Sequence, residues 1–258
     1  ESVFDHHVYV IASDGDVMEG VSSEAGSIAG HLGLGNLIVI YDANQISIED
    51  DTNISFSEDV AARYRAYGWE TIEVDWRKGE YKEDVHALFD AIQKAKANTA
   101  QPTLITLKTI IGWPSPTKQN TGKIHGSKLG TEEVAGLKQA LGFDPEKAFD
   151  VSAQVLDHAR ELVARGKAAR AEWDAKFAKW QQANPEKAEL LRRLQGGELP
   201  DGIQGELPKF SSGEEIATRA ASGKVLNALA AKLPELWGGS ADLAESNNTT
   251  IEGAGSFV

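Results

Sequence analysis

The pattern that most constrains the fold of this chain is a pair of strand-like apolar runs with one amphipathic helix between them. The first run is His7–Ala12 and the second is Leu37–Tyr41. Between them, apolar residues recur at the spacing of a helix with one buried face: Val21, Ala25, Ile28, Ala29 and Leu32. The pattern therefore predicts a β-α-β unit, which brings the carboxyl ends of two parallel strands side by side.

Oxygen-bearing side chains directly follow both runs. Asp14 lies in the segment Ser13–Asp16 and Asn44 in the segment Asp42–Ile46. Open α/β sheets bind ligands at these carboxyl ends, and hard oxygen ligands suit Mg²⁺ or Ca²⁺ beside a phosphate better than zinc. Gly15 adds backbone that a diphosphate can approach closely. The alternative is that Asp14 and Asn44 only cap two strand-to-helix turns.

The residues in these segments resemble the thiamine diphosphate motif of the transketolase family, in which Gly-Asp-Gly is followed, after a helix and a strand, by Asn. Here the segments read Ser-Asp-Gly-Asp-Val-Met-Glu-Gly and Tyr-Asp-Ala-Asn-Gln-Ile-Ser-Ile. The resemblance runs through nearly the whole chain and is strong again at Gly238–Asn247. Ser13 replaces the usual first Gly, and Ala43 an Asn often found there. We expect Ser13 to be tolerated because it leaves a backbone N–H available.

The resemblance implies a role for each matched residue. Mg²⁺, or Ca²⁺ or another divalent ion in its place, would be ligated by the side chains of Asp14 and Asn44 and by the carbonyl of Ile46. The residues implied to bind thiamine diphosphate are Ser13, Gly15, Glu19, Asn44, His125 and Asp242. Catalytic roles are implied for His125 and Asp242, and substrate binding for His125, Arg219 and Ser246.

Most of these residues also have a plain structural explanation. Glu19 is favoured by the dipole of the helix that it begins, whereas the resemblance places it in a carboxylate network across a dimer. Arg219 would otherwise be a solvated helix residue and Asp242 an ordinary turn residue. His125 stands in a Gly-bearing loop, and loops carry function disproportionately. An Arg219 guanidinium with the Ser246 hydroxyl would make a sensible phosphate clamp.

Alternating strands and helices continue as far as Leu107 and predict a doubly wound, parallel α/β sheet covered on both faces. The expected elements are a helix capped by Ser57 and ending at Ala66, a strand Trp69–Val74, a helix with its apolar face from Val85 to Ala95, and a strand Thr103–Leu107. This is the α/β fold that the thiamine diphosphate family implies.

Beyond Leu107 the sequence no longer alternates between strand-like and helix-like segments. We expect a polar loop at Thr117–Ser127, a helix from a Thr131 cap to Gly142, helical stretches at Ser152–Gln182, Pro185–Leu194 and Glu214–Leu233, and a strand-to-turn point before Trp237–Asp242. The family resemblance divides the chain into three parts. Residues 1–150 are a diphosphate-binding domain that is incomplete at its N-terminus, 151–210 a helical connector, and 211–258 the start of a pyrimidine-binding α/β domain.

Composition narrows the class of partner. The formal net charge of −13 argues against nucleic acid and anionic membranes, so a phosphorylated ligand needs local cations or a metal. No apolar stretch reaches the roughly 18 residues of a membrane span. With no Cys, the chain has no disulfide and no zinc-thiolate site. The resemblance adds sugar phosphates as substrates, a homodimer of the full-length protein, and a cytoplasmic location.

The sequence therefore indicates the central piece of a transketolase, which moves a two-carbon ketol unit between sugar phosphates in the pentose phosphate pathway. Because Met18 is the only Met, no initiator opens the chain, and we expect a fragment that is inactive alone. One alternative is another thiamine enzyme, such as dihydroxyacetone synthase or a keto-acid dehydrogenase subunit. The other is a non-catalytic module that binds Mg²⁺ and diphosphate.

Overall fold

A computed structural model describes residues 2–257 of the chain. These residues form two compact units that divide between Ala159 and Arg160. The three-part division at residues 150 and 210 stays a prediction. Across the part of the chain that is described, no helix is long and apolar enough to cross a membrane.

The first unit is a parallel sheet with flanking helices. Its strands are β1 (Val8–Ser13), β2 (Leu37–Ala43), β3 (Glu70–Asp75) and β4 (Thr103–Lys108), and its helices are α1 (Asp14–Met18), α2 (Gly20–His31), α3 (Val60–Ala66), α4 (Val85–Ala97) and α5 (Thr131–Ala140). Every strand pairing is parallel and the order is β1-β2-β4-β3. The predicted α/β fold with a parallel sheet is confirmed.

Alternate residues of the two central strands supply two cores, one on each face of the sheet. On one face, Val39 and Leu104 pack with residues of α2 and α3, among them Ala29 and Tyr64. On the other face, Ile38 packs in a second cluster with residues of β4 and α4, including Ile105, Ala91 and Ala95. Because β2 is covered on both faces, its residues Leu37–Ile40 form a continuous apolar run.

The strand register brings the ends of β1 and β2 level. Ala12 pairs with Tyr41, and Ser13 pairs with Asp42. Asp14, the next residue, therefore leaves the sheet beside the last residues of β2. This is the edge at which the sequence predicted a ligand site.

Two predicted helix caps are shifted by one or two residues. Asp59, not Ser57, precedes α3, and its carboxylate accepts a hydrogen bond from the Ala62 N–H at 2.9 Å. A carboxylate caps the free N–H groups of a first turn well, which explains the later start. Gly130, not Thr131, is the N-cap of α5, with a φ of 91° that suits glycine.

The second unit is helical. Its elements are α6 (Ala153–Ala183, which begins in the first unit), α7 (Pro185–Gly196), α8 (Thr218–Ala230) and α9 (Ala244–Asn247), with a 3₁₀ turn at Ile203–Glu206. Arg193 of α7 forms a 2.6 Å ion pair with Glu235, and both side chains are mostly buried. Asn227 of α8 donates to the Thr250 carbonyl and accepts from the Glu252 N–H, which fixes the segment after α9 to α8.

The expected strand before Trp237 is wrong. Between α8 and α9 the described chain forms turns, with the Leu236 N–H bonded to the Leu233 carbonyl and the Asp242 N–H to the Ser240 carbonyl. A strand needs a neighbour to satisfy its backbone groups, and here those groups bond locally. The helix predicted at Glu214–Leu233 is also shorter, because it begins at Thr218 and ends at Ala230.

Candidate cofactor and metal site

Asp14 is a buried carboxylate at the carboxyl edge of the sheet. Only 2% of the residue is exposed, although it is the first residue of α1. Its Oδ1 accepts a 2.6 Å hydrogen bond from the Tyr41 hydroxyl, and its Oδ2 accepts a 2.8 Å bond from the Gln45 N–H. The side chain thus points back across the end of β2 and does not cap α1.

Asn44 and Ile46 place two further oxygens on the segment that reaches Asp14. Asn44 is 6% exposed, and its Oδ1 accepts a 3.0 Å hydrogen bond from the Ile46 N–H. Gln45 between them has a φ of 65°, the left-handed conformation that few non-glycine residues adopt. Within residues 2–257 the Ile46 carbonyl accepts no hydrogen bond. The strained backbone conformation of Gln45 is typical of functional sites, and the hydrogen bond from the Gln45 N–H to Asp14 holds it here.

The oxygens of this segment fit a divalent cation. Among the residues that the structure describes, Asp14 has no ion-pair partner, and each of its oxygens accepts one hydrogen bond, which leaves lone pairs free. A buried carboxylate is costly without a compensating charge. No cluster of three or more His, Asp and Glu side chains that could hold a metal exists in residues 2–257. A cation at Asp14 would therefore rely on amide and carbonyl oxygens, which are the ligands of Mg²⁺ and Ca²⁺.

Tyr41 is a contact of the candidate site that sequence reasoning missed. The residue is 6% exposed, and burial followed by the hydrogen bond to Asp14 raises the pKa of its hydroxyl above the usual value. The hydroxyl therefore stays protonated and donates to Asp14. A signal existed in the sequence, because a hydroxyl-bearing residue ends an apolar run that otherwise reads Leu37–Ile40.

The turn after β1 leaves open backbone where the resemblance implies a diphosphate. A Cβ added to Gly15 would meet only the Ser13 Oγ at 3.9 Å, so nothing in the described chain requires glycine there. The expectation of an available Ser13 N–H is wrong, because that N–H donates to the Asp16 carboxylate at 2.7 Å. This bond lowers the pKa of Asp16. Ser13 and Gly15 as cofactor-binding residues remain predictions.

Glu19 lies exposed at the junction of α1 and α2. It is the C-cap of α1 and the N-cap of α2, yet its side chain makes no capping hydrogen bond. Its carbonyl accepts hydrogen bonds from the Ser22 N–H and the Ser22 hydroxyl. Capping by the side chain therefore does not explain an acidic residue here, and its predicted cofactor role stays a prediction.

His125 lies in a loop that packs against the segment after Ile46. The side chain is exposed, and the backbone N–H of His125 donates to the Gly122 carbonyl at 3.1 Å. A Cβ added to Gly122 would lie 2.8 Å from the Ile48 carbonyl oxygen, so the loop touches the chain two residues beyond Ile46. The structure thus brings the His125 loop to the candidate metal segment.

Arg219, Asp242 and Ser246 belong to the second unit. All three are exposed; Arg219 is the second residue of α8, Ser246 lies in α9, and Asp242 has a φ of 59° in the turn before α9. A cavity of about 680 Å³ lies between α8 and the chain around α9. None of these three residues lines it. Their roles remain predictions.

Comparison with known proteins decides the family. The model of "Transketolase, thiamine diphosphate binding domain" matches residues 1–200. The chain belongs to the transketolase family. The matched residues include β1, β2 and the segments that carry Asp14, Asn44 and Ile46, together with helices α6 and α7.

Individual transketolases match almost the whole chain. It is 57% identical to the transketolase of Mycobacterium bovis over 257 residues, which are 99% of this chain and 36% of that protein. It is 46% identical to the Bacillus subtilis transketolase, covering all of this chain and 38% of that protein. A Pichia stipitis transketolase solved with sedoheptulose 7-phosphate superposes with a TM-score of 0.89 at 42% identity, over 97% of this chain and 36% of that one. The chain therefore spans little more than a third of these transketolases.

Proposed function

We propose that this chain is the part of a transketolase that binds Mg²⁺ and the diphosphate of thiamine diphosphate. The whole protein would transfer a two-carbon ketol unit from a ketose phosphate to an aldose phosphate in the pentose phosphate pathway, as a cytoplasmic homodimer. One observation carries the proposal. Asp14 is a buried carboxylate with no cationic partner in residues 2–257, and it accepts a hydrogen bond from the N–H of Gln45, the residue between Asn44 and Ile46.

Each residue of the first unit has a task in this proposal. Asp14 supplies the charge that holds the cation, while Asn44 and the Ile46 carbonyl complete its protein ligands. Gly15 lets backbone approach the diphosphate. When bound, thiamine diphosphate supplies the electron sink that carbon–carbon bond cleavage needs, and the protein supplies position and proton transfer. His125 would donate to a diphosphate or substrate oxygen from the loop beside Ile48.

The second unit would recognise the phosphorylated end of the sugar. Arg219 is exposed and its side chain makes no ion pair or hydrogen bond to any residue from 2 to 257, so its guanidinium is free to bind a phosphate in a bidentate way. The Ser246 hydroxyl would add a neutral donor. The Asp242 carboxylate would stabilise positive charge on the cofactor. The strongly acidic chain needs such local donors, because its long-range field repels a phosphorylated substrate.

Calorimetry of the full-length protein tests the proposal. Asp14→Ala should abolish Mg²⁺-dependent binding of thiamine diphosphate, and Asn44→Ala should weaken it less, because it removes a neutral ligand. Asp90→Ala is the matched control, since Asp90 is an exposed carboxylate on α4 and its removal changes the net charge equally. Unchanged affinity in Asp14→Ala would refute the site. Normal binding by the wild type without any ketol transfer would instead favour a non-catalytic binding module.

A further inference from the structure

The loop that carries His125 is long and has little regular structure of its own. From β4, which ends at Lys108, to α5, which begins at Thr131, the described chain has one short 3₁₀ turn, at Gly122–Ile124. Connections of this length in a compact unit are uncommon and are usually functional or disordered. The position of His125 therefore depends on the side chains that tie this loop down.

Glu133 of α5 accepts several hydrogen bonds from this loop. It is 8% exposed, and its Oε1 accepts hydrogen bonds from the Ser115 hydroxyl, from the Thr117 N–H at 2.8 Å and from the Lys118 N–H at 3.2 Å. Its Oε2 accepts from the Thr117 hydroxyl at 2.6 Å. The hydroxyl of Ser115, followed by the donors of Thr117, lowers the pKa of Glu133 to about 2. Glu133 is therefore ionised at every pH at which the protein would be assayed.

These contacts serve the loop and not the helix that carries Glu133. A Glu at the third position of a helix commonly reaches back to the N–H of the N-cap residue. Here, within residues 2–257, every donor to the Glu133 carboxylate comes from residues 15–18 positions earlier in the chain. The buried Glu133 carboxylate therefore accepts hydrogen bonds from N–H and hydroxyl groups of Ser115–Lys118 that belong to the loop.

Lys118 passes this constraint on to both sides of His125. Its ammonium group donates to the carbonyls of Lys128 and Leu129, at 3.1 and 2.6 Å. Its own carbonyl accepts from the Thr121 hydroxyl at 2.7 Å, just before the 3₁₀ turn Gly122–Ile124, whose C-cap is His125. Lys118, whose N–H donates to Glu133, thus fixes the chain both before and after His125.

We infer that Glu133 is a positioning residue for His125: its carboxylate holds Ser115–Lys118, and Lys118 in turn fixes the loop on both sides of the imidazole. The inference rests on the proposed function, since it gives His125 a task at the cofactor and substrate. The hydrogen bonds of the Glu133 carboxylate go to Ser115–Lys118, so Glu133 would act on the cofactor and substrate only through His125. The loss of Glu133 should therefore reduce catalysis only as far as His125 contributes to catalysis.

The test is a double-mutant cycle in the full-length enzyme, with kcat/KM for ketol transfer as the first readout. Glu133→Gln keeps the size of the side chain but removes its charge and puts an NH₂ group where an acceptor is needed. Glu132→Gln is the matched control, because Glu132 is the exposed neighbour on the same turn of α5 and its carboxylate accepts no hydrogen bond from the loop within residues 2–257. The second readout is hydrogen exchange of the Thr117 and Lys118 amides, which Glu133 holds directly.

The expected result is faster exchange of both amides and a loss of about tenfold or more in kcat/KM for Glu133→Gln, with Glu132→Gln near wild type. In a His125→Ala background the same Glu133→Gln change should cost less than about twofold, because coupled residues are not additive. Glu133→Asp, which keeps the charge, should recover part of the activity and serves if Glu133→Gln fails to fold.

Two other outcomes separate the possible failures. An equal loss from Glu133→Gln with and without His125 would overturn the inference and make Glu133 a general stabiliser of the fold. Full activity of His125→Ala, with the exchange effect intact, would instead remove the proposed role of His125 and leave Glu133 as a loop anchor only, which also overturns the inference.

Discussion

Tyr41→Phe tests whether the buried carboxylate of Asp14 is held as the structure shows. The substitution removes one hydroxyl that donates to Asp14 at 2.6 Å and keeps the ring in its place in the core. Because the ring is retained, no cavity opens and the cost of the change comes almost wholly from the hydrogen bond. A hydrogen bond to a charged group typically contributes about 1.5–3 kcal/mol.

We therefore expect Tyr41→Phe to lower the free energy of unfolding of the metal-free, full-length protein by about 1.5–3 kcal/mol. Urea denaturation followed by circular dichroism, with EDTA present, gives this value. Tyr67→Phe is the control: Tyr67 is half-buried against the same core, and its hydroxyl has no hydrogen-bond partner in residues 2–257. That variant should differ from wild type by less than about 0.5 kcal/mol.

A second pair of variants isolates the charge of Asp14. In an Asp14→Asn background the partner of Tyr41 is neutral, so Tyr41→Phe should cost only about 0.5–1.5 kcal/mol. An equal cost in both backgrounds would show that the charge of Asp14 does not strengthen the bond. A cost no greater than that of Tyr67→Phe would refute the buried contact altogether.

Three further results are expected. Arg219→Ala should lower kcat/KM for a phosphorylated donor by roughly 10–150-fold and scarcely change it for hydroxypyruvate; an equal effect on both would leave Arg219 a solvated helix residue. Gly30→Ala would place a Cβ 1.8 Å from the Tyr67 carbonyl oxygen. The free energy of unfolding, measured by urea denaturation, should therefore fall by about 1–3 kcal/mol. An unchanged urea midpoint would contradict this packing. A hydrogen bond from Lys94 lowers the pKa of Glu70, so Glu70→Gln should lower the Tm at neutral pH. The difference in Tm from wild type should shrink as the pH falls below about 4.5, because Glu70 then becomes protonated in the unfolded state. A Tm difference that stays constant with pH would argue against the bond.

The fold was largely predictable because the local signals agree with one another. The apolar runs before Asp14 and Asn44 are strands, and the helical spacing between them is α2. For β2 the run is continuous because this parallel strand is covered on both faces. The apolar run before Trp237 misled this reasoning. A strand depends on a partner that the local sequence does not specify, and in the structure this segment forms turns.

The candidate site was predictable in its backbone frame and less so in its contacts. Asp14 and Asn44 could be found because the ends of neighbouring strands meet at one edge. The sequence marks Tyr41 only as a hydroxyl at the end of an apolar run. Its contact with Asp14 and the contacts of Glu133 could not be predicted, since the partners lie 27 and 15–18 positions away and the contacts depend on side-chain direction. The available Ser13 N–H was predicted wrongly because Asp16 competes for it over a single turn. Short-range competition of this kind is common for residues at helix starts.

The most direct test of the metal site is a crystal structure of the full-length protein grown with thiamine diphosphate and Mn²⁺, with data collected for anomalous scattering from manganese. The account predicts one strong peak about 2.0–2.6 Å from an Asp14 carboxylate oxygen, from the Asn44 Oδ1 and from the Ile46 carbonyl oxygen, in contact with the cofactor diphosphate. A bound cofactor with the manganese peak elsewhere, or with no peak at these three oxygens, would contradict it.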